Sequence, residues 1–319
     1  MPSDIEYLHH VGMVVEDIGV AVERYQSFGF AIEPPSFPAL PADDGALEPL
    51  GAAQTTARFA RNFIEIVAVV PPGAALPPSA TLVPIQAPPD RRDQVRQVVE
   101  QTMAGFTAML ADHEGLHRLV FSAADVDLVA ARLDAAGVRH SGVTITQRPV
   151  DDGGTLRVET IRHLEITAVG VEATAEETLL AVAERESLHG RTASVHPNGA
   201  TGVIEAVLCV APEHLAGVVA RYETYLDRAA VGAGDACRFD LDGAAFTVLT
   251  AAEHAARLPG ETPAALPALV AYAVAVPDQH AIATFLADRG VPVAQTAAGE
   301  PFIPARAGLG TAIIFRAAG

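Results

Sequence analysis

Lysine and tryptophan are both absent from this chain of 319 residues, and all 21 of its basic residues are arginine. Without lysine there is no Schiff-base catalysis, no attachment point for pyridoxal phosphate and no lysine-dependent phosphate loop. Without tryptophan, and with aromatics at 5%, the chain is poorly equipped to hold flat ligands by stacking. Cysteine is scarce too. Cys209 and Cys237 make no disulfide framework, and a reducing cytoplasm is the simplest setting for them. The formal net charge is −18, which argues against a general nucleic-acid or acidic-membrane binder, since both reward clustered positive charge. No run approaches the roughly 18 uninterrupted apolar residues a membrane helix needs. The opening MPSDIEYLHH lacks the basic region and apolar core of a secretory signal.

Half of the residues are hydrophobic, enough for sizeable cores, and the length suits two domains of about 150 residues. The first clear unit is Tyr7 to Phe30. Apolar Leu8–Val15 reads as a buried strand, Glu16-Asp17 as a turn, and Ile18, Ala21, Val22, Tyr25 and Phe28 fall at helical spacing before Gly29. Strands are expected over Thr55–Phe59 and Asn62–Val70, and a helix over Arg91–Leu110, with Pro34–Gly51 as loop or short edge strand.

The opening pattern returns three times, at GLHRLVFSAADVDLVAARLDAAGV, at GVIEAVLCVAPEHLAGVVARYETYLD and at ALVAYAVAVPDQHAIATFLADRGV. Between the second and third copies, Thr155–Val169 reads as strand, Glu176–Glu186 as helix, and HGRTASVHPNGATG as a polar link. The expected domains are therefore residues 1–190 and 191–319. Self-similarity at a period of roughly 65–110 residues is an internal repeat with variable loops.

Four strand–helix–strand–strand–strand copies, with HVGMVVEDI and GLHRLVFSAADVD as strand openings, resemble the vicinal oxygen chelate superfamily. His196-Pro197-Asn198-Gly199-Ala200 makes the chain most similar to its longer glyoxalase-like members. The resemblance implies an α+β fold in which four βαβββ modules pair into two curled-sheet, cup-shaped domains, like glyoxalases and extradiol dioxygenases. It also implies a divalent metal (Zn, Ni, Fe, Mn or Co) held by the first and last strands of two paired modules.

Under that implication the metal ligands are His10, Glu65, His117 and Glu165, with Glu65 or Glu165 as the catalytic base. Imidazole nitrogen and carboxylate oxygen suit such ions. Counting back from Asp125, however, puts Arg118 in the slot equivalent to His10. His117 returns to the slot only through a one-residue slip or bulge. Arg118 would otherwise pair with a carboxylate or hold a substrate anion, and His163, two residues before Glu165, could line the same cup. His9 reads as a surface or supporting group, and His196 as part of a structural turn.

The corresponding places in the last two modules read Glu205, Thr247, Ala271 and about Ile313, which cannot make a metal site. That argues against extradiol dioxygenases, which keep iron in the second pair. The second half is then expected to support the first, cover its cup, or join two chains as a homodimer. Three readings follow: a metal-dependent lyase, isomerase or epimerase acting on a small oxygenated molecule; a non-enzymatic small-molecule-binding or resistance protein; and an Fe(II) oxygenase using His10, Glu65 and His117.

Overall fold

The structure, a computed structural model, describes residues 3–42, 45–71, 73–85, 87–152, 155–166, 179–185 and 193–318. The first module comprises β1 (Ile5–Val15), α1 (Ile18–Ser27), β2 (Ser36–Pro41), β3 (Leu47–Pro49), β4 (Ala52–Arg58) and β5 (Phe63–Val69). A short β6 (Thr81–Pro84) and the long α2 (Arg92–Asp112) lead to the second module, β7 (Gly115–Ala123), α3 (Val126–Ala135), β8 (Thr144–Asp152), β9 (Thr155–Ile166) and β10 (Leu179–Glu184). The third has β11 (Gly202–Val210), α4 (Leu215–Leu226), β12 (Ala236–Leu241) and β13 (Ala244–Thr250), followed by α5 (Ala251–Arg257). The fourth has β14 (Ala268–Val276), α6 (Gln279–Ala287), β15 (Ala294–Gln295), β16 (Pro301–Ile303) and β17 (Ala312–Ala317).

In every module the first strand pairs in parallel with the last: β1 with β5, β7 with β10, β11 with β13 and β14 with β17. Modules then join in twos through antiparallel first strands, β1 with β7 and β11 with β14. This is the expected α+β arrangement of curled, unclosed sheets. The third module is abbreviated, its second strand reduced to the single bridge Val231–Arg238.

Aspartate starts three of the four module helices. Asp17 Oδ1 accepts from the amides of Gly19 and Val20, and Asp125 and Asp278 repeat the bond, satisfying donors that a helix start leaves open. Gly29, Gly137 and Gly290 follow those helices with φ of +81°, +72° and +69°, a conformation that ends a helix cheaply only in glycine. Helices of about ten residues are marginal in isolation; packing is what holds them. Ile18 and Tyr25 of α1, Val129 of α3, Tyr222 of α4 and Leu286 of α6 all enter one buried cluster that runs through both halves. At about 1.5–3 kcal/mol per fully buried large apolar side chain, that burial outweighs helix propensity. Tyr25 and Tyr272 meet hydroxyl to hydroxyl at 3.0 Å inside it, joining first half to second.

The two pairs of modules, whose strands meet at the Leu116–Leu269 pairing of β7 and β14, thus share a core on their helix-bearing faces, and the second half backs the first. The other faces carry separate apolar clusters.

The segment expected as a helix over Glu176–Glu186 is instead strand across its described part, β10. LLAVAE has helix-forming composition, but six consecutive positions pair with β7 and four with β9. Burial on both faces of a central strand overrides local propensity.

The link is a latch. His196 Nδ1 accepts from the Ala31 amide, and its Nε2 lies 2.9 Å from the Arg58 carbonyl oxygen. Asn198 donates to the Phe28 carbonyl and accepts from the Ala200 amide. The turn therefore clamps the exit of α1 to the entry of the third module.

Candidate functional site

On β1, Val11, Met13 and Val15 face the shared core, which leaves His10, Gly12 and Val14 on the cup side. His10 is buried and stacks on Phe63, its register partner on β5, at 4.4 Å and 16°. Pairing passes from Leu8–Phe121 to His10–Val120, which makes His9 the extra residue of a bulge. Its ring consequently lies beside His10, with Nδ1 2.7 Å from His10 Nδ1. His9 is a buried orienting group, where the sequence pointed to a surface or supporting one.

Gly12 pairs with Glu65 on one side and Arg118 on the other. Across this row, Arg118 Nη1 donates to Glu65 Oε2 at 2.7 Å, and His10 Nε2 stands 3.7 Å from the same oxygen. A Cβ on residue 12 would come 2.8 Å from the Arg118 Cβ and 3.3 Å from Glu65 Oε2. Gly12 thus lets the arginine lie over the strand, a role the sequence analysis missed. Its signal was its place two residues after His10, on the same strand face.

His117 does not join this group. Gly12 pairs with Arg118 and Met13 with Leu116, so His117 is itself a bulge residue. A bulge was the condition for bringing it into the slot, yet Arg118 keeps the slot. His117 Nε2 lies 2.8 Å from the His113 carbonyl oxygen, and the two imidazoles sit 4.1 Å apart at the end of α2. Burial lowers the pKa of His117, keeping it neutral there.

Glu165 does not stand on the closing strand. That strand is β10, and its residue matching Glu65 is Ala181, which pairs with Val120 as Glu65 pairs with Gly12. The sequence puts β9 in the closing place because LLAVAE reads locally as helix, whereas it forms β10. Glu165 lies one strand further out, directly opposite Ala181, and His163 lies opposite Ala183. Both are half-buried, and cross-strand partners share a face, so they flank a floor of Val120, Ala181 and Ala183.

Ser122, two residues beyond Val120 on β7, is fully buried and its hydroxyl has no partner among the described residues. The Arg118 Nε is likewise buried and unpartnered. Such groups cost free energy unless something supplies the bond. Over the other end of the cup lies α2, whose Phe106, Met103, Met109 and Leu110 pack on Val14, Val67 and Val69.

The four places of the expected metal set are therefore His10, Glu65, Arg118 and Ala181. Two can ligate, one is a cation already bound to Glu65, and one has no donor. This set does not fit a divalent ion. Among the described residues no group of three or more His, Cys, Asp or Glu is placed to hold one.

The second half diverges further. Its matching places hold Glu205, Thr247, Ala271 and Ile314, the last fixed by the Ala273–Ile314 pairing, one residue beyond the expected Ile313. Glu205 is 1% exposed and accepts from Thr247 Oγ1, from both Nη atoms of Arg257 and from Arg316. Burial alone would raise its pKa, but Arg257, Arg316 and Thr247 together pull it down to about 2. Leu258, Phe302 and Ile314 pack into an apolar filling around Cys209, whose thiol burial pushes up to about 12. This cup is a closed structural core.

A family model described as a glyoxalase-like domain matches residues 8–225. No curated protein matches the sequence. Among solved structures, the fold is similar to a hypothetical protein from Staphylococcus aureus, at 11% identity and TM-score 0.58, covering 98% of this chain and 99% of that one. A mutant of 4-hydroxymandelate synthase from Streptomyces coelicolor aligns at 14% identity and TM-score 0.54, covering 98% and 92%. The Mn(II)-bound glyoxalase from Novosphingobium aromaticivorans aligns at 12% identity and TM-score 0.54, covering 99% and 83%. At these identities the likeness is one of fold.

Proposed function

The chain belongs to the glyoxalase-like domain family, and from that premise we propose that its N-terminal cup binds a small oxygenated molecule through side-chain hydrogen bonds. The observation that carries this reading is the Arg118–Glu65 pair laid across Gly12. It puts a guanidinium where the metal reading needs a ligand. The contact engages one of Arg118's donors on Glu65, and guanidinium carries five. The remaining donors of Arg118 and the Ser122 hydroxyl are suited to substrate oxygens, with Glu165 and His163 on the far side of the floor.

Binding without conversion, as in a sequestering or resistance protein, is the function this supports best. Two free thiols, Cys209 and Cys237, suit a reducing compartment such as the cytoplasm. Among the described residues no helix is long and apolar enough to cross a membrane.

A second reading, the metal-dependent lyase, isomerase or epimerase, is favoured by the 3.7 Å approach of His10 Nε2 to Glu65 Oε2 and by the Mn(II)-bound relative. Elemental mass spectrometry on protein purified without a metal-affinity step separates the two. The binding reading expects far less than one metal per chain and no saturable uptake of Mn, Ni, Zn, Fe or Co. Near-stoichiometric metal, lost in both His10→Ala and Glu65→Ala, would overturn it in favour of the enzyme.

A further inference from the structure

At the seam between the two halves lies a cleft of about 720 Å³ that shares no residue with the cup. Ser3 and, at the start of β1, Ile5, Glu6 and Tyr7 form one wall and Asp240–Asp242, at the β12–β13 turn, another. Three arginines converge on it from three places in the chain: Arg61 from the β4–β5 turn, Arg185 just after β10, and Arg228 just after α4. We propose that this cleft is a second binding site, for a small metabolite bearing a phosphate or carboxylate group.

The charges can be accounted for one by one. Asp242 takes Arg61 at 2.7 Å, and Asp240 takes Arg238, which is outside the cleft lining, at 2.6 Å. Glu6 meets Arg185 at 3.4 and 3.5 Å, distances at the edge of hydrogen bonding. Arg228 is left over. Its Nη atoms each donate to one carbonyl oxygen, of Asp240 and of Ile5, its Nε is buried without a partner, and no carboxylate among the described residues pairs with it, which leaves the other Nη hydrogens for a ligand.

In a chain of net charge −18, an arginine with no acid against it is a specific invitation to an anion. Guanidinium's planar fork matches phosphate and carboxylate oxygens bidentately. The other two arginines are half-exposed, at 50% and 57%. Exposed pairs of that kind are worth little, so Arg61 and Arg185 can exchange their acids for a ligand at small cost. Arg61 is also held in place over the Tyr7 ring, at 4.9 Å. The volume lies within the 300–1,000 Å³ range typical of small-molecule sites, which points to an organic anion with a body rather than a bare ion.

Isothermal titration of the whole chain with pyrophosphate and with citrate, at constant ionic strength, tests this and tells a phosphate site from a carboxylate one. One saturable site is expected for at least one probe. The double variant Arg61→Gln/Arg185→Gln, which touches half-exposed side chains and is checked for folding by circular dichroism, should weaken it by about tenfold or more. Arg228→Gln, checked for folding by circular dichroism because Arg228 also ties Ile5 to Asp240, should abolish it. Arg118→Gln in the cup should leave it unchanged. No saturable heat from either probe up to millimolar concentration would overturn the proposal. So would binding that survives the double variant, or binding that Arg118→Gln removes.

Discussion

Arg118 reaches Glu65 by lying across Gly12, Nη1 to Oε2 at 2.7 Å, with no side chain between them. The consequence for residue 12 is direct. A methyl there would stand 2.8 Å from the Arg118 Cβ, closer than real Cβ contacts allow. Gly12→Ala should destabilise the protein by about 1–3 kcal/mol, the usual cost of overpacking a tight site. It should also loosen Arg118 from Glu65. Urea unfolding reads the first effect; stability within experimental error of wild type would mean that the strand yields and that the glycine is incidental.

Replacing the arginine by a ligand tests whether Arg118 sets the metal chemistry of the cup. In Arg118→His, the third place joins His10 and Glu65 with a donor instead of a cation, and three donors are enough for an open metal site. The variant should bind Zn(II) or Ni(II) about tenfold or more tighter than wild type by titration calorimetry. Equal affinity in the two proteins would show that Arg118 does not set the chemistry of the cup.

Much of this fold could be read from the chain because local signals and tertiary demands agree. An aspartate cap, an apolar stripe and a trailing glycine mark α1, α3 and α6 in sequence as they do in space. Counting from Asp125 likewise put Arg118 in its slot. The misplaced closing strand and the misassigned Glu165 share one cause. LLAVAE gives no local sign of being a strand, since only its parallel partner β7 makes it one. Reading it as helix moved the closing place onto β9 and made Glu165 a ligand candidate, when the matching residue is Ala181. Ser122 was invisible for another reason: what singles it out is the lack of any partner for its hydroxyl, which no sequence records.

The latch yields a third prediction. Asn198→Ala removes the bond to the Phe28 carbonyl and the bond from the Ala200 amide, both buried. Leaving those backbone groups unmet should cost about 1–3 kcal/mol. Because the turn fastens the first module to the third, hydrogen exchange should speed up at the C-terminal end of α1 before it does in β11. Uniform acceleration across the chain would rule out a local clamp.

Acid should unfold this protein in two stages, and the groups responsible can be named. Burial lowers the pKa of His117, His196 and His254 from the ordinary 6.5, with Arg257 adding to the effect at His254. The folded state therefore binds fewer protons than the unfolded chain. The stability linked to these histidines is intact above pH 6.5 and is lost as pH falls below it. Glu205 acts lower down: with its pKa brought from 4.5 to about 2, its contribution is full above 4.5 and fades towards 2. His254 separates the stages. It is buried, and neither ring nitrogen has a partner among the described residues, so His254→Leu removes an unmet polar group at similar volume. That variant should melt higher than wild type near pH 5.5 and flatten the upper stage. Glu205→Gln would instead set Arg257 and Arg316 against each other without their carboxylate, at a cost of about 3–5 kcal/mol at neutral pH, and should shrink the lower stage, to which Asp242, lowered by Arg61, and Asp278, lowered by the Ala281 and His280 amides, still contribute. Thermal unfolding from pH 8 to pH 3 on the three proteins decides it. A His254→Leu profile parallel to wild type would show that the histidine titrates as freely in the fold as outside it.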